Sequence, residues 1–167
     1  MAFDRVLAAA AIIAMAHVPA SAAETTGGWR LLRTPNPYGG ADAVSITHTA
    51  ELARSDPDFA GLMFRCTDSG PEAVVILIVP LSLRSQPQVT LKADSGRELR
   101  LDATVGMPGA IVVLPRAAAV AFLGAWQGSA QIAIEVAAEG RTIQGVVALA
   151  GLDQAIKVLN ANCVGSP

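Results

Sequence analysis

Short apolar–polar alternations, broken by turn residues, run through most of the chain. From Asp42 to Thr49 the apolar side is Val44, Ile46 and His48, and the opposite side is Ser45, Thr47 and Thr49. Period two over such a length predicts a half-buried strand. Trp29 to Arg33 opens as a first strand, with Trp29 and Leu31 on one face, after a polar tether over Glu24 to Gly28. Gly61 to Cys66 repeats the pattern and aims Leu62, Phe64 and Cys66 the same way. Ala73 to Val79 is apolar at every position, which predicts a central strand covered on both faces. Gln88 to Lys92 and Glu98 to Ala103 flank Asp94-Ser95-Gly96 as a hairpin, and Ala110 to Leu114 is a short strand. Gln131 to Ala137 and Thr142 to Leu149, joined through Glu139-Gly140, form the clearest hairpin.

Two segments depart from this period. Pro115 to Leu123 is alanine-rich, with a proline placed to start a helix and Gly124 placed to stop it. The last is Gly151 to Cys163. Leu152, Ala155, Ile156, Leu159 and Cys163 fall on one helical face, Asp153 sits in the first turn, and Asp153, Lys157 and Asn160 take the wet side. The intervening stretches are punctuated connections. They are Thr34 to Gly40, Glu51 to Phe59 with room for one helical turn, Pro80 to Pro87, and Gly106 to Gly109. About eight or nine short strands with two helices predict a mainly β domain, a β-sandwich or distorted barrel.

The N-terminus obeys a different rule. Arg5 precedes an unbroken apolar run, Val6 to Ala16, and Ala20-Ser21-Ala22 follows. That is the order of a signal peptide with cleavage near Ala22, and the run is too short to span a bilayer. Residues 1–22 are therefore expected to leave, and residues 23–167 to form a single exported domain in the periplasm. Asp4 and Arg5 leave together, so 12 basic and 14 acidic residues each fall by one and the net charge stays at −2. The charges are scattered, without the basic cluster that follows a phosphate backbone. Nucleic acid is excluded as a partner on that ground, and no transmembrane segment is expected after cleavage.

Export changes the reading of Cys66 and Cys163, the only cysteines. A single pair outside the cytoplasm is expected to be oxidised. Cys66 faces inward from its strand, and Cys163 ends the apolar stripe of the final helix. A bond between them would clamp that helix to the sheet. Closing so long a loop is worth about 4.7 kcal/mol in the chain-entropy model. The spacing matches no zinc motif and no Cys-x-x-Cys redox motif. With His17 in the signal peptide, His48 is the one histidine left, so no metal and no cofactor is expected.

Candidate catalytic groups are sparse. Ser45 and His48 point to opposite faces of one strand and cannot form a dyad with each other. Asp56 and Asp58 flank Pro57 as a solvated turn. Arg65 reads as an outward strand residue paired with a neighbouring acid, or else with a partner's carboxylate. Trp29 and Trp126 read as core or edge anchors. No catalytic residue is assigned, and the chain is not expected to be an enzyme.

The order of these anchors has a likeness. Trp29, then Asp42-Ala43-Val44-Ser45-Ile46, then Arg65-Cys66 before an apolar strand, and finally Gly151-Leu152 with Ala155-Ile156, Leu159 and Cys163 resemble small periplasmic proteins. These are the relatives of the type VI secretion-associated protein VasI and similar exported proteobacterial proteins. The resemblance implies a periplasmic location, a β-rich fold and an Arg-Cys…Cys disulfide, and no enzymatic activity. The reading that fits best is a non-catalytic module that binds another envelope or secreted protein. The alternatives are a binding module for a small apolar or glycan ligand inside the sandwich, an exported protease inhibitor using Glu24 to Gly28, and a hydrolase built on His48.

Overall fold

The computed structural model describes residues 25–36, 38 and 42–163; the expected signal peptide lies outside them. Eleven strands and two helices are present among these residues, in two antiparallel sheets that do not close into a barrel. The expected sandwich, with an internal helix and a clamped terminal helix, is what forms.

Sheet A contains β1 (Thr25–Thr26), β2 (Trp29–Thr34), β3 (Ala43–Thr49), β4 (Phe59–Thr67) and β5 (Gly70–Leu77) in chain order, followed by β9 (Ile111–Val113) and then β8 (Thr104–Gly106) at the edge. Sheet B has the order β11 (Arg141–Ala148), β10 (Gln131–Ala138), β6 (Gln88–Ala93), β7 (Glu98–Asp102). Helix α1 is Arg116–Leu123 and helix α2 is Leu152–Asn162. A single 3-10 turn over Leu52–Arg54 interrupts the connection between β3 and β4.

Alternation decides the inner faces. From sheet A come Trp29, Val44, Ile46, Leu62, Phe64, Val75 and Val112; from sheet B come Val89, Leu91, Ile132, Ile134, Val136 and Val147. All are buried in one core. A row of aromatic rings crosses it, Trp29 to Phe64 at 5.8 Å, Phe64 to Phe122 at 5.2 Å and Phe122 to Trp126 at 5.0 Å. The first contact is tilted and the other two are edge-to-face, an arrangement that adds to the area buried. Both tryptophans are thus core anchors, although the buried Trp29 Nε1 has no hydrogen-bond partner.

Helix α2 lies across the β1–β5 side of sheet A. Its buried residues are Leu152, Ala155, Ile156 and Leu159, the stripe read from the sequence. The two sheets meet where Phe59, at the start of β4, lies against Gly145 of β11. Residues 50–56 then run along the outer edge of β11. Glu51 and Asp56 amides donate to the Val146 and Gln144 carbonyls at 2.8 Å each, and Ser55 Oγ and Asp56 Oδ2 accept from the Val146 and Gln144 amides at 2.9 and 2.7 Å.

Three expectations need correction. Residues 25 and 26 of the supposed tether form β1, because Gly27 and Gly28, both at positive φ, make the tight turn onto β2. Residues 104–106 form β8 by pairing with β9, a three-residue contact too short to leave a pattern. The apolar run of residues 73–79 is a central strand between β4 and β9, buried at both parities over Ala73, Val74 and Val75, but it is shorter than expected. The strand ends at Leu77, and Ile78 and Val79 beyond it are exposed.

Candidate functional site

The disulfide joins Cys66 on β4 to Cys163 at the end of α2, with a Cα–Cα distance of 5.6 Å and 97 residues between them. Both cysteines are half-buried. Asn162 beside the bond accepts a hydrogen bond from Arg33 of β2 and donates to the Val158 carbonyl at 2.7 Å. The helix is therefore held by its apolar stripe, one covalent bond and one polar tie.

The residues that invited a chemical reading are spent on structure. His48 is half-buried on β3, with its ring 5.1 Å from that of Trp29 and edge-on to it, and Nδ1 2.8 Å from the Thr49 carbonyl. Its Nε2 lies close over Gly28, where even a β-carbon would collide at 2.6 Å. Neither ring nitrogen meets a serine or a carboxylate among the described residues. Arg65 lies directly across from Glu72, and its Nε and Nη2 both reach Oε2, at 2.7 and 2.6 Å. Asp56 caps the β11 edge, and Asp58 pairs with Arg141 at 3.4 Å. Among the described residues, no three His, Cys, Asp or Glu side chains are grouped so as to hold a metal ion. No described helix is long and apolar enough to cross a membrane.

Two outward faces are less ordinary. On sheet A, pairing sets Met63 beside Val74, Val74 beside Val113, and Ile76 beside Ile111, all on the side away from the core. Val74 is fully buried, and the other four are half-buried. This apolar face continues past the end of β5 into Ile78, which is 62% exposed. The 78–83 loop is pinned to the 106–110 loop by the Leu81 amide, which donates to the Gly109 carbonyl at 3.0 Å. This brings exposed Leu83 and Met107, the latter 79% exposed, to the same tip. At the other end the face is bounded by the Arg65–Glu72 pair. An apolar centre with a polar rim has the anatomy of a protein-binding surface.

Sequence reasoning passed over this face. The signal available was Ala73 to Val79, apolar at both parities, together with a methionine set in a glycine-bounded loop.

On sheet B the outward face is polar and hollow. A recess of about 800 Å³ is lined by Arg54, Thr90, Lys92, Arg100, Glu135 and Gln144, among others. It opens outside the sandwich, whereas the space between the sheets is filled by buried side chains from both. No aromatic side chain lines it, so a stacking platform for sugar rings is missing.

The family model for invasion associated locus B (IalB) protein matches residues 40–160 of this 167-residue chain. The chain belongs to the IalB family. The match begins just before β3 and ends within α2, and so covers the sandwich. IalB proteins are an exported bacterial family, which agrees with a disulfide-bonded chain. The resemblance to exported bacterial proteins holds at that level. Nothing links the chain to VasI specifically. No curated protein and no solved structure matches the chain.

Proposed function

We propose that this IalB-family chain is a non-catalytic periplasmic protein that binds another envelope or secreted protein through the outward face of sheet A and its tip. The observation that carries the reading is the apolar surface running from half-buried Met63 and Ile76 to exposed Ile78, Leu83 and Met107. Contiguous exposed apolar surface of this kind marks an interaction site rather than ordinary exposure. A protein partner suits it better than an anionic bilayer. The charges around the tip are Arg84 and Arg141 against Asp58 and Glu139, and Glu139 accepts the Ser82 amide at 2.8 Å. No positive excess is available to hold lipid headgroups. The structural engagement of His48, Arg65, Asp56 and Asp58 supports a role without catalysis.

The test places a photo-crosslinking side chain at Met107 in exporting cells, with a second at Asp153 on the wet side of α2 as control. Met107 is expected to give one protein adduct that Asp153 does not. The purified adduct partner should bind a Leu83→Ser variant more weakly, by about tenfold, a loss of 1.4 kcal/mol. Adducts to lipid or to a second copy of the chain, or equal binding by the variant, would overturn this. So would a measurable turnover lost in His48→Ala.

A further inference from the structure

The recess on sheet B carries an ordered charge pattern that the apolar face does not use. Pairing fixes its rungs. Val146, Ala133, Lys92 and Glu98 lie in one row; Gln144, Glu135, Thr90 and Arg100 in the next; Thr142, Ala137, Gln88 and Asp102 in the third. The floor is low because Ala133 and Ala137 sit in its middle strand while longer side chains rise around them. The chain segment along β11 brings a further cation. Arg54 Nη1 donates to Gln131 Oε1 at 2.5 Å and to Glu51 Oε2 at 3.2 Å. Gln131 precedes Ala133 by two on the same strand face.

Arg54 and Lys92 thus flank the Ala133 end, and Lys92 has no ion-pair partner among the described residues. Glu98, opposite Lys92 in register, is turned to Arg100 at 2.8 Å. Toward Ala137 the charges are acidic. Glu135 accepts from Gln144 at 3.1 Å, and Asp102 stands beyond Gln88. With Arg54 paired to Glu51 and Arg100 paired to Glu98, the charges without an ion-pair partner among the described residues are Lys92 at the Ala133 end and Glu135 and Asp102 toward Ala137, so the recess is dipolar. Ala133 and Ala137 are separated by about 13 Å of strand, at about 3.3 Å per residue.

We infer that this trough binds an extended polypeptide segment bearing a carboxylate at one end and a basic side chain about four residues away. Charge complementarity selects this occupant. Nucleic acids and anionic glycans carry one sign only, and Glu135 and Asp102 would oppose them. A neutral glycan would look for aromatic faces, which the lining lacks. A polypeptide supplies both signs, and its backbone can use the Gln88 and Gln144 amides that line the recess. The trough lies on the sheet opposite the apolar face, so the domain would hold two partners on its two sides. The inference stands on residues that the proposed apolar interface does not include.

The experiment titrates the disulfide-intact protein with synthetic peptides and follows backbone amide shifts by NMR. The probe is a short extended peptide with Asp at one end, Lys at the other and Ser and Thr between. Controls are an all-Asp peptide, an all-Lys peptide and a sulfated oligosaccharide. Shifts are expected at Thr90, Lys92, Ala133 and Glu135 with the mixed peptide. Binding should weaken by at least about tenfold in Lys92→Glu, and remain in Met107→Ser, which alters only the tip. Absent shifts at these amides, equal binding by Lys92→Glu, or preference for the sulfated oligosaccharide or a single-sign peptide would overturn it. Lys92→Glu lies on an exposed position, and an unchanged melting temperature verifies its fold. If Lys92→Glu fails to fold, Arg54→Gln takes its place with the same expected outcome.

Discussion

Gly145 is the residue that most sharply limits what β11 can carry. Its pairing with Ile134 points its missing side chain at the core, and the Phe59 ring occupies that space. Any β-carbon there must displace an aromatic ring that joins the two sheets. Gly145→Ala is therefore expected to destabilise the fold by about 1–3 kcal/mol, the usual cost of overpacking, despite the better strand propensity of alanine. A urea titration measures it. Arg65 makes the contrasting case. Its pair with Glu72 is geometrically close, but the side chains are 37% and 27% exposed. Water screens such a pair, and the two ends of the contact sit on strands already held by backbone bonds. Arg65→Ala is expected to cost no more than about 1 kcal/mol in the same titration. A much larger loss would mean that the rim of the apolar face is structural.

At the scale of elements, α2 is the piece held by separable means. Leu159 is fully buried against sheet A, and Leu159→Ala is expected to cost about 2–5 kcal/mol. Replacing Cys66 and Cys163 together by serine should cost about 2–5 kcal/mol as well, measured by thermal and urea unfolding under oxidising conditions. The two changes act on one helix, so their sum should depart from additivity. A double variant no less stable than either single one would show that the stripe and the bond do one job. This helix was legible in the sequence because a 3.6-residue period and a cysteine at its end agree. The β10–β11 hairpin was legible because alternation and a Glu139-Gly140 turn agree. Strands β1 and β8 were not, since two or three residues become a strand only through a partner elsewhere in the chain. The sites divide the same way. Outward polar residues such as Thr90, Lys92 and Arg100 could be read from local alternation. Their assembly into a charged trough depends on β6 lying beside β10, a pairing between segments about forty residues apart that no local pattern states.

For the whole molecule, the consequence is a division between what holds the fold and what would meet a partner. The core aromatics, the α2 stripe and the disulfide lie on inner faces or at the half-buried clasp. The tip residues Ile78, Leu83 and Met107 lie beyond the strand ends and are more than half exposed. Removing an exposed apolar group forfeits little burial, so Ile78→Ser combined with Met107→Ser should change stability by no more than about 1 kcal/mol. In a free domain those side chains gain nothing from being apolar, and their replacement should raise solubility rather than lower it. The two measurements belong together. If the double variant keeps its unfolding midpoint and gains solubility while binding the partner captured at Met107 more weakly, the apolar tip is retained for contact with another molecule. If instead the midpoint falls by several degrees, the tip is anchoring the 78–83 and 106–110 loops to each other, and its exposure would be a cost of folding rather than a sign of function.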